Sequence, residues 1–501
     1  MSVGWRIYSF HLLRVPLFPQ IQLRYQLNMD ILVIYAITAG SVLVSLVAFR
    51  LLRLLSQWKS PILVLLSRHI IYPHVVARHR FLGPWSRLSV LTHLAYATVN
   101  SILVFFLNFS LENVSRRAGD LSLINMIFLL TSSHLSYSAD LLGIPLRTYR
   151  QMHRASGWMA MALVVLHVGA LVFNRKDGIT RSDGQTLFPV IATACLAALS
   201  LIFLPFVRKF SYELSLRVHQ ALTIVSVYGI WKHLPQDKLL PRLYLYIGLS
   251  VFTGTSCLPV NVRAGQYVNL WLPGVSFWSW TQTHPFTVVS WSQGKQSELE
   301  FLVQPRSGLT ATIARQMRVI GPDGYSCLAL YSGPHGLSES VNNYETVLLI
   351  AGGAGLPAVI PYAKRLIYGY NTCTSHVRRV HLVWQAETRE QLNDLLKEDV
   401  LDDGYILSIS IYVEQGPPVR EKLLFGKHER ATLYQGAPDY ATVVSTELSR
   451  EKIEKLSPIR DNQGQVLLIV SAPGVLRDEL RHIVRGHLHQ RIKMVELEYQ
   501  P

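Results

Sequence analysis

The sequence predicts a multi-domain membrane protein with an α-helical transmembrane domain, an antiparallel β-barrel domain and a doubly wound α/β domain. Half of its 501 residues are hydrophobic, and its mean hydropathy of +0.24 is unusual for a soluble protein. Long apolar runs occupy residues 1–255, and short alternating segments between Gly, Pro and Ser turns follow. From residue 345 the order becomes strand, Gly-rich turn, helix and strand, which is typical of an α/β domain.

Seven apolar stretches have the length that a bilayer crossing requires, roughly 17–25 residues. They are residues 30–53, 88–110, 121–143, 149–173, 186–207, 213–233 and 239–255. The loops between the last five are short, so consecutive helices must be antiparallel, and the fourth and sixth run in the same direction. Residues 61–72 are too short to span, and we expect them to lie at the membrane interface.

The basic residues lie mainly at the ends of these apolar runs. The net charge is +16, and Arg50, Arg53, Arg78, Arg208 and Lys209 are examples of this placement. Such flanks are typical of the cytoplasmic ends of membrane helices. A nucleic-acid-binding protein would instead need a basic face or stripe. We therefore expect the lipid bilayer, and no nucleic acid, as a partner.

If the soluble domains are cytoplasmic, the fourth and sixth spans run outward and the loop after the second span is outside. That loop contains two glycosylation sequons, which begin at Asn108 and Asn113. The sequence therefore predicts a glycoprotein. Four scattered cysteines form neither a disulfide framework nor a CxxC metal motif.

Two predicted spans carry histidines with the same spacing. His153 and His167 lie 14 residues apart on the fourth span, and so do His219 and His233 on the sixth. Fourteen helical residues rise about 21 Å and return to nearly the same face. Because the two helices are parallel, His153 faces His219 near the inner surface and His167 faces His233 near the outer one. Each pair can hold a haem iron from both sides. The alternative interpretation is that the four histidines only pack between helices or lie at the membrane interface.

Short β-like segments follow the last predicted span and suit a small antiparallel barrel. They are residues 266–272, 286–291, 299–304 and 326–332. The resulting domains are an N-terminal segment with one transmembrane helix (1–87), a six-helix transmembrane haem domain (88–255), the barrel (256–336) and the α/β domain (337–501).

Three stretches carry a resemblance to a known family. The haem-helix sequence LGIPLRTYRQMHRASGWMAMALVVLH, the strand VRAGQYVNLW and the segment HPFTVVSW are similar to those of fungal ferric reductases. That family shares its plan with NADPH oxidases and ferredoxin reductases. The resemblance implies that His284 lies near the phosphates of FAD, that Pro285 belongs to the same strand, that Phe286 packs against the flavin ring and that Thr287 reaches its reactive edge.

The resemblance also implies two further phosphate or nucleotide sites. Gly308 and Thr310, in SGLTATI, would meet the FAD pyrophosphate at a helix N-terminus. A buried strand followed by Gly352, Gly353 and Gly355 reads as an NADPH-binding turn.

The segment SAPG, residues 471–474, replaces the family's Cys-Gly-Pro-Gly beside the nicotinamide. The turn keeps Pro473 and Gly474, which are candidate cofactor-binding residues. The segment Gly333-Pro334-His335-Gly336 resembles the family's interdomain Gly-Pro-Tyr-Gly, with His in place of Tyr.

Two features depart from the family pattern. The interval between the last span and Val262 is too short for the first strands of a six-stranded barrel. The chain ends at Pro501, so Tyr499 stands near the place where the family has a terminal aromatic residue. A shortened barrel would open one side of the FAD site.

The resemblance implies a plasma-membrane reductase that passes electrons from cytosolic NADPH through FAD and two haems b to extracellular ferric chelates. Cupric ions are a further possible acceptor, and iron or copper uptake transporters are possible neighbours. Two alternatives stay open: a superoxide-producing NADPH oxidase, and a haem-binding protein with an impaired reductase half. The choice between NADPH and NADH also stays open at this stage.

Overall fold

The computed structural model describes residues 61–79, 84–105, 109–130, 135–174, 187–202, 204, 212–234, 242, 261–276, 279, 282–294, 296–305, 308–320, 327–386, 405–414, 420–423, 430–449 and 464–498. The predicted span at residues 30–53 lies outside these ranges, as does the span at 239–255 except for residue 242, and so does Tyr499.

The described part begins with a short helix, α1 (Pro61–Leu66), continued by a π-helical turn over Ser67–Ile71. A two-strand pair, β1 (His74–Val76) and β2 (Trp85–Ser86), leads into the helical domain. The helices of that domain are α2 (Arg87–Phe105), α3 (Leu111–Leu130), α4 (Leu135–Leu142), α5 (Leu146–Asn174), α6 (Leu187–Ile202) and α7 (Tyr212–His233).

Four of the predicted spans coincide with helices, namely α2, α5, α6 and α7. Within the described ranges, α2 and α5 are long and apolar enough to cross a membrane, and α6 is apolar but shorter. The small core between the helices contains Met126, Ala160, Ala192 and Ile230, which come from α3, α5, α6 and α7. Helix α3 packs against α5, and α6 packs against α7.

The prediction for residues 121–143 is wrong in its bounds. Helix α3 begins at Leu111, where the Ser110 hydroxyl accepts a hydrogen bond from the Asn113 amide at 3.2 Å and caps the helix. Asn113 therefore lies in a helical turn and not in an outer loop. Hydropathy missed this start because α3 contains Arg117, which is buried and donates to the Val104 carbonyl at 3.5 Å.

The next domain contains a three-stranded antiparallel sheet in the order β4-β3-β5, whose strands are β3 (Tyr267–Trp271), β4 (Thr283–Thr287) and β5 (Leu330–His335). The predicted strand at 286–291 lies too late, and that at 326–332 too early. Residues 299–304 contribute only an isolated bridge, between Phe301 and Val288. The described strands do not close a barrel, and helix α8 (Leu309–Ile320) packs beside them.

The C-terminal domain is built on a seven-stranded sheet in the order β12-β11-β6-β7-β8-β10-β9, which is parallel except at the β9 edge. Its strands are β6 (Thr346–Gly352), β7 (Arg379–Ala386), β8 (Leu407–Val413), β9 (Arg420–Leu423), β10 (Ala431–Gln435), β11 (Val466–Ser471) and β12 (Ile492–Glu496). Its helices are α9 (Leu356–Asn371), α10 (Tyr440–Ser449) and α11 (Gly474–His487).

Helices cover both faces of this sheet. Along β6, Val347 and Leu349 face a core that includes α9, while Leu348 and Ile350 face a second core that includes α10 and α11. Every residue of β6 is buried, as expected for a parallel strand covered on both sides. The carboxyl ends of the central strands therefore form a rigid edge on which turn residues can be placed.

Candidate cofactor sites

Helices α5 and α7 bring the inner histidine pair together. The ring centroids of His153 and His219 lie 6.3 Å apart, with an angle of 61° between the ring planes. A metal–imidazole bond is about 2 Å long, so one metal ion held between two imidazoles separates the ring centroids by about 6 Å. The Nδ1 atom of His153 is buried without a hydrogen-bond partner among the described residues. The separation fits a haem iron held from both sides.

Helix α3 orients one histidine of the second predicted pair, His167. The Nδ1 atom of His167 donates a hydrogen bond to the Ser115 carbonyl oxygen at 2.7 Å, and this bond leaves Nε2 unprotonated and available to a metal. A Cβ at Gly119 would lie 3.1 Å from the same Nδ1, so helix α3 passes close to the ring. His233 is near enough to His167 to interact with it electrostatically.

Ser115 and Gly119 were not among the residues predicted from the sequence. A signal was present, because Ser115, Ala118, Gly119 and Ser122 place small residues along one side of α3. Ser122 donates to the Ala160 carbonyl of α5 at 3.2 Å, so this side of α3 faces α5. Close packing of the two helices is what lets a backbone carbonyl reach the His167 ring.

Strand β4 carries the predicted flavin residues on alternating faces. His284 is paired with Leu270 and Phe286 with Val268, so these two side chains share one face of the sheet. The Phe286 and Phe301 rings pack edge to face at 6.2 Å, and His284 Nε2 lies 3.1 Å from the Gln282 amide oxygen. Half-buried Pro285 and Thr287 occupy the opposite face.

A cavity of about 390 Å³ opens beside the His284 and Phe286 face. Its volume is within the usual range for small-molecule sites. It is lined by Leu270, Gln296, Ser297, Leu299, Phe301, Ala329 and Tyr331.

The second predicted phosphate segment lies at the start of α8. Gly308 directly precedes the helix, and its carbonyl accepts the Thr312 amide hydrogen bond at 3.1 Å. Thr310 stands in the first turn and is half-buried. The backbone amides at the N-terminus of a 12-residue helix point outward along its axis and suit an anionic phosphate.

The two predicted nucleotide turns meet at one place. Strands β6 and β11 are parallel neighbours, with Ile350 opposite Val470. From β6 the chain builds the sheet in one direction through β7, and it later returns to place β11 on the other side of β6. This reversal is the switch point at which open α/β sheets bind ligands. Gly352, Gly353, Gly355, Pro473 and Gly474 all lie at this end of the two strands.

The contacts explain why small residues are needed there. A Cβ added to Gly355 would overlap the Ser471 carbonyl oxygen, and one on Gly352 would lie 2.8 Å from Pro473 Cδ. The Trp384 indole N–H donates to the Gly353 carbonyl at 3.2 Å and holds the turn from β7. The Ser471 hydroxyl is fully buried and has no hydrogen-bond partner among the described residues. A buried hydroxyl without a hydrogen-bond partner is expected where a bound nucleotide supplies that partner.

An interface joins the flavin sheet to the helical domain at helix α4 and the start of α5. The Asp140 carboxylate on α4 accepts hydrogen bonds from His335 Nδ1 at 2.7 Å and from the Gly336 amide at 2.9 Å. Tyr149 of α5 and Tyr267 of β3 are buried in one shared cluster. His153 comes four residues, about one helical turn, after Tyr149, so the flavin sheet meets α5 close to the inner histidine pair.

The C-terminal strand reaches the same interface. The Glu498 carboxylate accepts the Arg147 amide hydrogen bond at 3.0 Å near the start of α5, and the Arg147 side chain reaches Glu496 at 3.4 Å. Both soluble domains therefore contact the helix that carries His153 and His167.

Three parts of the chain match known families in an order that agrees with this architecture. Residues 118–230 match the ferric reductase like transmembrane component, residues 254–351 match an FAD-binding domain, and residues 344–421 match the ferric reductase NAD binding domain. The chain belongs to the ferric reductase family. As a member of that family it is an integral membrane protein with FAD- and NAD-binding domains.

Curated relatives of the ferric reductase family come from fungi. Ferric reductase transmembrane component 3 of Saccharomyces cerevisiae is 25% identical over 68% of this chain and 54% of its own length. Ferric/cupric reductase transmembrane component 2 of the same yeast is 26% identical over 50% of this chain and 40% of its own length. A probable cell surface ferric reductase of Aspergillus oryzae is 24% identical over 54% of this chain and 42% of its own length. The chain spans about half the length of the curated relatives it matches.

Solved structures with weaker similarity cover about half of this chain. The FAD/NAD-binding domain of a nitric oxide dioxygenase from Vibrio cholerae has 13% identity and a TM-score of 0.27, over 48% of this chain and 86% of that chain. Ferredoxin-NADP+ reductase from Plasmodium falciparum has 12% identity and a TM-score of 0.29, over 47% and 84%.

Proposed function

We propose that this chain is a transmembrane ferric-chelate reductase that moves electrons from NADPH through FAD and two haems b to ferric iron. One observation carries the proposal. Helix α5 contacts the flavin sheet through Tyr149 and carries His153 next to His219 at a centroid distance of 6.3 Å. One helix thus connects the flavin side to both predicted haem sites.

The helical domain holds the haems. His153 and His219 would hold the inner haem, and His167 and His233 would hold the outer one, with histidine as the ligand from each helix. The Ser115 carbonyl accepts the Nδ1–H of His167, so Nε2 would be unprotonated and available to a haem iron. When bound, the haems supply a one-electron relay across the membrane.

The two soluble domains bind and orient the flavin and the hydride donor. His284, Phe286 and Thr287 on β4 and Gly308 with Thr310 at α8 would hold FAD, which when bound supplies the exchange between two-electron and one-electron chemistry. The glycine turn after β6 and the residues Pro473 and Gly474 after β11 would hold the dinucleotide.

The orientation follows from the order of the helices. We assign the FAD and NADPH domains to the cytoplasm and the outer pair His167 and His233 to the extracellular side, most simply at the plasma membrane. Ferric chelates would be the substrates, with cupric ions as a further acceptor, and iron or copper uptake transporters would be fitting neighbours. The equal spacing of both histidine pairs favours metal reduction over superoxide production.

An optical spectrum of the purified protein, with haem and flavin counted per chain, tests the proposal. We expect the spectrum of low-spin haem with two histidine ligands, two haems per chain, and haem reduction by NADPH after FAD is added. In membranes, ferrous iron should form without a matching release of superoxide. A chain without haem, or one that makes superoxide in place of ferrous iron, would overturn the proposal.

A further inference from the structure

Residues 67–78, here called the strap, precede the helical domain and lie against the NAD-binding domain. The strap lies outside the three regions that match the family. Tyr72 packs against the core shared by α10 and α11, and its hydroxyl bonds to the Met494 backbone of β12. The Arg485 guanidinium of α11 donates to the Arg68 carbonyl at 2.9 Å. A segment near the membrane helices is therefore part of the packing of the nucleotide domain.

The strap ends at the nucleotide turn. The Arg78 Nε atom donates to the Asp478 carboxylate at 2.8 Å in the first turns of α11. A Cβ added to Gly474 would overlap the Arg78 guanidinium, so this group lies directly against the glycine. Among the described residues, no hydrogen-bond partner contacts the two terminal nitrogens of Arg78. The guanidinium therefore packs directly beside the turn that contains Pro473 and Gly474.

Other charged groups surround this ion pair and hold Arg78 in one place. His74 of the strap lies 3.9 Å from Asp478, and its Nε2 accepts a hydrogen bond from the Arg481 guanidinium at 3.2 Å. Arg477 and Arg481 both reach Glu496 of β12. Arg477 lies near enough to repel Arg78, whereas the Asp478 carboxylate attracts it, and this attraction keeps the guanidinium against Asp478 and Gly474.

The strap is also fixed at its other end. The Arg87 amide, at the start of α2, donates to the Pro73 carbonyl at 3.0 Å, and the Arg87 side chain donates to the His69 carbonyl at 3.2 Å. The first described long helix and the N-terminus of α11 are therefore connected through a short, hydrogen-bonded segment. A displacement of α2 would therefore be transmitted through the strap to the nucleotide turn.

We propose that the strap positions the nucleotide turn at residues 471–474, and that Arg78 is its positioning residue, acting through Asp478 and Gly474. This inference rests on the proposed role of that turn in NADPH binding. Hydride transfer requires placement of the reacting groups to within about 1 Å. The turn lacks the family's Cys and Gly at positions 471 and 472, and the strap supplies support from outside the domain.

The test is a double-mutant cycle with Arg78→Ala, Asp478→Asn and the combined variant. Each single change should raise KM for NADPH about five-fold, the effect expected of one partly exposed ion pair, while kcat changes little. The combined variant should be no worse than the more affected single variant, because both remove the same bond. Hydrogen exchange in the peptide covering residues 471–478 should become faster in all three.

Arg485→Ala is the matched control, since it removes another arginine contact between α11 and the strap away from Gly474. It should speed exchange in the strap and leave KM unchanged. Haem and FAD content must equal those of the unmodified protein in every variant. Unchanged KM and unchanged exchange in Arg78→Ala would overturn the inference. If the unmodified protein shows no NADPH-dependent flavin reduction while the exchange effects appear, the proposed function fails and the positioning contact stands.

Discussion

Removal of the Asp140 carboxylate should separate flavin reduction from haem reduction. Asp140 receives two hydrogen bonds from the turn after β5, at 2.7 Å from His335 and at 2.9 Å from Gly336. A hydrogen bond to a charged group contributes about 1.5–3 kcal/mol when it is well buried. The side chain of Asp140 is 29% exposed and that of His335 is 10% exposed, so water would replace part of what is lost. We expect Asp140→Ala to weaken the docked arrangement by about 2 kcal/mol, which is up to about thirty-fold.

The assay is rapid mixing with NADPH without oxygen, following flavin and haem absorbance in the same sample. Flavin reduction should keep its rate, because the nucleotide turn is not touched, whereas haem reduction should slow about ten-fold or more. Asp140→Asn keeps an acceptor for the Gly336 amide and should give a smaller effect. Unchanged haem reduction in the alanine variant, or equal slowing of both steps, would refute the role of this interface.

Further predictions concern the histidines, the nucleotide turn, the flavin sheet and the core of the nucleotide domain. His167→Ala should remove one of two haems and abolish ferric reduction, which haem counting and a ferrous chelator would detect; full haem content would contradict the assignment. Gly353→Val should raise KM for NADPH steeply without changing the haem spectrum, and a normal KM would make the turn merely structural. The three-stranded sheet with its open cavity should bind FAD weakly, so that haem exceeds flavin after purification; one tightly bound FAD per chain would show otherwise. Burial alone would raise the pKa of Glu447, but hydrogen bonds from His381 and Arg379 hold that pKa at about 2, below its ordinary 4.5. The buried carboxylate therefore contributes about 3 kcal/mol to the free energy of unfolding above pH 4.5, and this contribution is lost as the pH falls towards 2. In thermal unfolding, Glu447→Gln should lower the stability more at pH 7 than at pH 3.

The features that could be predicted from sequence depend on rigid periodicities. Helical geometry alone puts His153 and His167 on nearly one face of α5, and the short loops predict that α5 and α7 are parallel, so His153 could be placed beside His219 from the sequence. The glycine turn after β6 could be predicted for a similar reason, because a buried strand followed by Gly352 and Gly353 leaves few alternatives at a helix start. These elements are specified by local rules that the fold does not override.

Other features depend on contacts between distant segments. The early start of α3 was missed because Arg117 resembles a loop residue until its burial against Val104 is seen. The strands of the flavin domain were displaced by a few residues, because alternation alone does not determine register. The hydrogen bond from the His167 ring to the Ser115 carbonyl could not be predicted for the same reason. Neither could the close packing of the Arg78 guanidinium against Gly474. Ser115 and His167 are 52 positions apart in the sequence, and Arg78 and its partners on α11 are several hundred positions apart.

The most direct test of the central claim uses the protein in sealed vesicles with its soluble domains outside. A ferric chelate and a ferrous indicator are enclosed, and NADPH is added to the outer solution with FAD. We expect that ferrous iron appears inside, that it depends on NADPH outside, and that it is lost in His167→Ala while the inner haem is still reduced. Ferrous iron that forms at the same rate in His167→Ala, or that forms only on the side of the NADPH, would contradict transmembrane electron transfer through the two histidine pairs.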